Sequence, residues 1–176
     1  MTMEELSQNI EYAISQYEQA KEQEESLYEM MQDAERDMSR YSAQASASSD
    51  DDPSSQRYAL EQMRAAAIRY QQCQNQLQQV QNAKAKALQY LQSTRSELVN
   101  VITSIEEKLP KFDQSISTFA QMANNPFGAS AGAQLPQLRA KREEYQRNLD
   151  YAYSLLDRID SALNDGGDTK RLVLRR

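Results

Sequence analysis

Apolar residues recur at alternating spacings of three and four along almost the whole chain, the repeat of amphipathic helices that pack along their length. Only Glu24 interrupts the stripe between Met3 and Ala45, and in the central segment it keeps one register from Leu60 to Leu109. Four Gly and four Pro in 176 residues leave little material for the turns of an all-β or Rossmann-type fold. We therefore predict an all-α fold of long antiparallel helical hairpins, packed as a coiled-coil-like bundle around one long central helix.

Breaks in the stripe mark the segments of this single helical domain. Asp52 followed by Pro53 is typical of an N-cap and a first helical residue, and Thr2 with Glu5 matches a capping box. Asp165-Gly166-Gly167 is typical of a helix end. The predicted segments are an N-terminal helix at 1–46, a Ser/Asp loop at 47–55, the central helix at 56–124, a loop at 125–134, a C-terminal helix at 135–164 and a basic, flexible tail at 165–176.

Pro110 lies within the central segment, yet Phe112, Ile116 and Phe119 continue the register beyond it. Proline removes one backbone hydrogen bond without ending a packed stripe, so we predict a kink near Pro110. The sequence leaves two arrangements open: an extended rod, or a chain that Pro110 folds into a shorter bundle of three or four helices.

The central stripe is unusually wide, because a parallel row of Ala66, Cys73, Val80, Ala87 and Val101 runs beside it. Three adjacent rows are enough to contact two neighbouring helices, within the chain or between chains. We predict that a helical partner, or a second copy, binds along this seam. The predicted seam residues are Leu77, Val80, Leu88, Leu91, Leu98, Ile102 and Ile105.

Four polar residues interrupt this seam, where such groups usually weaken a core while fixing the register of the helices. They are Gln74, Gln81, Lys84 and Arg95. Five tyrosines instead fall off the main stripe, and we expect them to be exposed anchors for a protein partner. These are Tyr12, Tyr28, Tyr58, Tyr90 and Tyr151.

The composition argues against most chemistry. The chain has no histidine, and its lone cysteine, Cys73, lies on the helical stripe, where a small buried side chain is the expected role. Adjacent acids such as Glu106 and Glu107 diverge by about 100° on a helix and do not readily share a site. A net charge of -6 opposes nucleic-acid binding. We predict no enzymatic activity and no cofactor or metal.

The N-terminal residues show neither a basic region nor an apolar run, and no apolar stretch approaches membrane-spanning length, so we predict a cytoplasmic protein. The basic tail is the exception in an acidic chain, and it is a candidate contact for an acidic partner, a sheet edge or an anionic membrane. Its cations are Lys170, Arg171, Arg175 and Arg176. Taken together, these features predict a non-enzymatic coiled-coil interaction protein: an adaptor, chaperone or structural subunit.

The helix-loop-helix layout, the absence of a signal sequence and the Gln/Ala/Ser-rich helices resemble small helical proteins of bacterial type VII secretion loci, of the WXG and LXG types. The chain lacks tryptophan, and therefore their Trp-x-Gly turn; Asn125-Pro126-Phe127-Gly128 is an aromatic-glycine loop in a comparable place. Tyr153 and Asp157 are similar to the tyrosine-to-acid export signal of those families. The resemblance implies a helical protein exported without a cleavable signal peptide, or a partner in such export.

Overall fold

A computed structural model describes residues 3–48, 52–126 and 128–173; the side chains of 165–173 lie outside that description. It contains three helices, α1 (Met3–Ala47), α2 (Pro53–Ala123) and α3 (Ala129–Val173). No strand occurs among these residues, and the all-α prediction is confirmed. None of the described helices is both long and apolar enough to cross a membrane.

The start of α2 follows the predicted cap. The Ser55 backbone N–H and the Ser54 hydroxyl each donate to Asp52 Oδ1 at 3.2 Å. Hydrogen bonds from Ser55, side chain first and then backbone, hold the pKa of the Asp52 carboxyl below its ordinary value. The helix therefore begins at Pro53, three residues before the predicted bound. Thr2 of the predicted α1 capping box lies outside the described residues.

The predicted bounds of the third helix are wrong at both ends. Helix α3 begins at Ala129, because the Ala-Ser-Ala-Gly-Ala run assigned to a loop is rich in the strongest helix former. It continues to Val173, past Gly166 and Gly167. A glycine costs about 1 kcal/mol relative to alanine inside a helix and does not by itself end one.

Gly128 lies in the turn between α2 and α3, in very close contact with the backbone at the end of α2. A Cβ built on Gly128 would lie 1.9 Å from the carbonyl oxygen of Met122. No described residue has a positive φ, so glycine is required here by closeness rather than by its backbone conformation. The Gly128 N–H donates to the Asn125 carbonyl at 2.9 Å, and the Asn125 N–H donates to the Met122 carbonyl at 3.1 Å. The turn is therefore shorter than the predicted loop at 125–134.

Residues 15–89 form one compact unit, which we call the hairpin unit. Its two arms are the α1 residues 15–47 and the α2 residues 53–89. Tyr41 meets Tyr58 edge to face at 6.5 Å, and Arg69 donates to Asp37 at 2.8 Å. Residue numbers rise on one arm as they fall on the other, so the arms are antiparallel, as predicted.

Residues 3–14 and 90–173 belong to a second unit, which we call the bundle unit. Arg95 donates to Asp160, and Phe112 packs on Tyr145 with ring centroids 5.1 Å apart, so the second half of α2 runs antiparallel to α3. The start of α1 runs parallel to α3, since Ser7 bonds to Tyr151 and Glu11 to Arg158. The largest fully buried side chains of the described protein all lie in this three-helix unit: Leu6, Ile10, Leu91, Leu98, Leu155 and Ile159.

The two units use the α2 stripe differently. We call the row of α2 residues spaced by seven from Leu60 to Leu109 the third row; it is distinct from the row of Ala66 and Cys73. In the bundle unit this third row is covered: Ile102 is buried, and Leu109 is half-buried. In the hairpin unit the corresponding residues, Leu60 and Ala67, are exposed. A helix with two neighbours buries three rows and a helix with one neighbour buries two. Pro110 lies inside α2, which continues to Ala123, so the predicted continuation is confirmed, and the kink stays a prediction.

Candidate functional site

The predicted partner seam is taken up by the chain's own helices. Leu77 is buried in the hairpin unit with Val80 packed against its cluster, and Leu88 is half-buried. The remaining seam residues, Leu91, Leu98, Ile102 and Ile105, are all buried in the bundle unit. A partner reaches such residues only if the unit unfolds. We therefore correct the expectation: these side chains form the internal core of the described protein and are not a free surface for a partner.

The core of the hairpin unit is narrow. Most of its buried side chains are small, and a cluster of Leu27, Cys73 and Leu77 has Met31 and Val80 packed against it. The predicted burial of Cys73 is confirmed. The buried hydrophobic side chains between the arms are Tyr17, Ala20, Leu27, Ala34, Ala45, Ala59, Ala66, Cys73 and Leu77.

One polar layer crosses this core. The Lys84 ammonium donates to the Glu24 carboxylate, and Gln81 Nε2 donates to the Tyr28 hydroxyl at 3.2 Å and to Glu24 at 3.4 Å. Only 28% of the Lys84 side chain and 15% of Glu24 face solvent. The residue that interrupts the α1 stripe thus meets two that interrupt the α2 seam. Sliding one arm by a turn would leave a partly buried charge unpaired, so the layer fixes the register of the hairpin.

Ion pairs along the bundle unit join α2 to α3. Arg95 grips Asp160 with two bonds, Nε to Oδ1 at 2.7 Å and Nη2 to Oδ2 at 3.2 Å, and the bond from Arg95 lowers the pKa of the Asp160 carboxyl. Arg142 Nε donates to Asp113 at 2.7 Å. Arg95 was expected to fix register, and its fork on Asp160 gives the contact through which it does so.

The proposed export pair lies on α3. The Tyr153 hydroxyl donates to the Glu106 carboxylate on α2, and this bond raises the pKa of Tyr153. Asp157, one helical turn further on, is exposed. The tail cations cannot be placed in the same way: the side chains of Lys170 and Arg171, and the whole of Arg175 and Arg176, lie outside the described residues. Both assignments stay predictions.

Most of the exposed large aliphatic and methionine side chains lie in the hairpin unit, whereas exposed tyrosines occur in both units. The five tyrosines expected to be exposed are so, at 44–59% of their surface. Among exposed aliphatic residues and methionines, Leu60 (40%), Ile68 (56%) and Met30 (53%) belong to the hairpin unit. The sequence prediction placed Leu60 on the stripe but not in the partner seam, and it overlooked Ile68. A signal for this surface was present in the third row, which carries Ile102 and Leu109 in the bundle unit but Ala67, Gln74 and Gln81 in the hairpin.

The arms of the hairpin unit carry opposite charge. The α1 arm, residues 15–47, has eight acidic and three basic residues, and we call it the acidic arm. The α2 arm, residues 53–89, has one acidic and five basic residues, and we call it the basic arm. The net charge is therefore -5 on the acidic arm and +4 on the basic arm, so the hairpin has two electrostatically distinct edges.

The open grooves are lined by uncharged residues. One groove of about 420 Å³ crosses the hairpin unit between Gln23 and Ser26 on one arm and Gln76 and Gln79 on the other. Another, of about 540 Å³, lies at the α2–α3 turn, lined by residues that include Phe119 and Met122. Within the described ranges, no three Cys, Asp or Glu residues converge as ligands for a metal ion.

The distinctive surface of the described protein is therefore the side of the hairpin unit, where uncovered apolar residues accompany two arms of opposite charge. Comparison with known proteins gives no further indication of function, since no family model, curated protein or solved structure gives a significant match to this chain.

Proposed function

We propose that this chain is a non-enzymatic interaction protein, acting as an adaptor, chaperone or structural subunit, and that it binds a helical partner along the side of its hairpin unit. The observation that carries the proposal is the third row of the basic arm, where Leu60 and neighbouring Ile68 face solvent on an ordered helix. Amphipathic helices dock on such faces through side chains spaced by three, four and seven residues.

The packing of the hairpin supports this role. Small buried side chains let the two arms approach closely, but they remove little apolar surface from water compared with the leucines and isoleucines of the bundle unit. Helices in folded proteins gain most of their stability from packing an apolar face, and each arm of the hairpin packs against one neighbour. A third helix laid along the arms would cover Leu60 and Ala67, just as Ile102 is buried in the three-helix bundle unit.

The test is capture of bound protein by the purified full-length chain, tagged at one end, from cells that express it naturally. A Leu60→Glu/Ile68→Glu variant places two charges on the proposed surface, and Met122→Glu, at a half-exposed apolar position of the bundle unit, is the matched control. We expect wild type and control to retain a stoichiometric protein, itself included, that the double variant loses at unchanged helicity. Equal retention by all three proteins, or no bound protein with wild type, would refute the proposal.

A further inference from the structure

We infer that the partner of the hairpin unit is the hairpin unit of a second copy of this chain, with the acidic arm of each copy beside the basic arm of the other. This inference rests on the proposed function and names its partner. It follows from two properties of the hairpin: the opposite charge of its arms, and the apolar row that one neighbouring arm leaves uncovered.

The charges that face solvent favour self-pairing. Two ion pairs, Glu24 with Lys84 and Asp37 with Arg69, join the arms within one copy. Four of the six exposed acids of the acidic arm follow one helical stripe, with spacings of four, three and four: Glu18, Glu22, Glu25 and Glu29. Exposed cations, Arg57, Arg64 and Lys86, lie on the basic arm. A surface with both signs on adjacent arms is complementary to itself after a two-fold rotation.

A four-helix arrangement of two hairpins places arms of opposite charge side by side. When two antiparallel hairpins stack about a two-fold axis along their helices, each arm has one neighbour from its own copy and one from the other. Each acidic arm then lies between two basic arms, and arms of like charge occupy the diagonals, where they are furthest apart. A partner of uniform charge would repel one arm of the hairpin for each arm that it attracts.

The apolar row leads to the same arrangement. In the bundle unit α2 has two neighbouring helices, and its third row, with Ile102 and Leu109, is covered. In the hairpin unit the same helix has one neighbour, and Leu60 and Ala67 of that row are exposed. A second hairpin supplies the missing neighbour. Gln74 continues the row and meets the partner through its hydrogen-bonding amide, so the interface is apolar near Leu60 and polar further along.

Sedimentation velocity of the full-length protein over a wide concentration range tests the inference. We expect wild type to sediment as a dimer of the 20.2 kDa chain. The Leu60→Glu/Ile68→Glu variant should shift to the monomer, with a dissociation constant raised at least tenfold, while Met122→Glu stays dimeric. Both hairpin side chains are exposed, so far-ultraviolet circular dichroism should show unchanged helicity.

A charge-exchange pair provides a second test that leaves the apolar residues intact. Variant one carries Arg57→Glu, Arg64→Glu and Lys86→Glu, and variant two carries Glu18→Lys, Glu22→Lys and Glu25→Lys. At low salt each should dimerise more weakly than wild type, because all four arms of its dimer then lean toward one sign. An equimolar mixture should regain the dimer as a complex of the two variants.

The outcomes separate the inference from the proposed function. A monomeric wild type that retains a different protein through Leu60 and Ile68 overturns the self-pairing and leaves the interaction role standing. A monomeric wild type that retains no protein overturns both. A dimer that survives both the Leu60→Glu/Ile68→Glu change and the charge reversals places the contact elsewhere and overturns the inference; the proposed function then stands only if wild type and the control retain another protein that the double variant loses.

Discussion

Replacing glycine by alanine at two positions of the α2–α3 junction should change stability in opposite directions. At Gly128 the added Cβ would lie 1.9 Å from the Met122 carbonyl oxygen and 2.8 Å from the Ala123 Cα, both of them backbone atoms that cannot rotate away. The helices must part by roughly 1.5 Å to restore van der Waals contact, and such overpacking costs about 1–3 kcal/mol. At Gly132 the nearest atom, the Ala123 Cβ, is 3.6 Å away, an ordinary contact.

Gly132 lies inside α3, where alanine in place of glycine gains about 1 kcal/mol. We therefore expect Gly128→Ala to lower the free energy of unfolding of the bundle unit and Gly132→Ala to raise it, a separation of roughly 2–4 kcal/mol. Urea and thermal unfolding followed by circular dichroism measure both, and about 1 kcal/mol corresponds to roughly 4–8 °C in a unit of this size. A Gly128→Ala protein as stable as wild type would refute the close approach.

Three further changes test the core, the cap and the polar layer. Leu98→Ala should destabilise the bundle unit by about 2–5 kcal/mol because Leu98 is fully buried; Met122→Ala on the same helix, half exposed, should cost much less in the same urea experiment. The lowered pKa of Asp52 means that its contribution to stability is complete above the ordinary carboxyl pKa and is lost as pH falls through the folded value. Asp52→Asn, which keeps an acceptor without the charge, should therefore lose less stability than wild type between pH 6 and pH 2, and an unchanged acid profile would count against the cap. Glu24→Leu alone should destabilise the hairpin unit by about 1–3 kcal/mol by leaving Lys84 unpaired. Replacing both Glu24 and Lys84 by leucine should recover the lost stability in thermal unfolding. A double variant as unstable as Glu24→Leu would show that the ion pair itself stabilises the hairpin.

The helices were predictable because their signals are local. The three-and-four spacing marks a helix wherever it occurs, and the Asp52-Pro53 cap depends only on groups within three residues. The ends of α3 were missed because the Ala129–Ala133 run and the Gly166-Gly167 pair were interpreted by their glycines rather than by the surrounding alanines and polar helix formers. The glycine that does have a special role, Gly128, was not distinguishable, because its close contacts with Met122 and Ala123 at the end of α2 depend on the path of the turn.

The candidate surface was only partly predictable. The exposed tyrosines followed from their positions off the stripe, whereas the seam from Leu77 to Ile105 was assigned to a partner and is buried by the chain itself. Leu60 and Ile102 occupy the same row of one helix. The sequence around either residue does not indicate how many helices will pack beside it.

The amino-acid sequence by itself determined that this protein is helical, where the turns fall to within a few residues, and which seam positions are polar. Tertiary structure alone decided that Glu24 meets Lys84, that Arg95 meets Asp160, and that the stripe is covered by two neighbours in the bundle unit and by one in the hairpin unit. The physical reason is that periodicity is a property of a single helix, set by its own rise and turn. Burial depends on which distant segments lie alongside it, and that is decided by the packing of the whole chain.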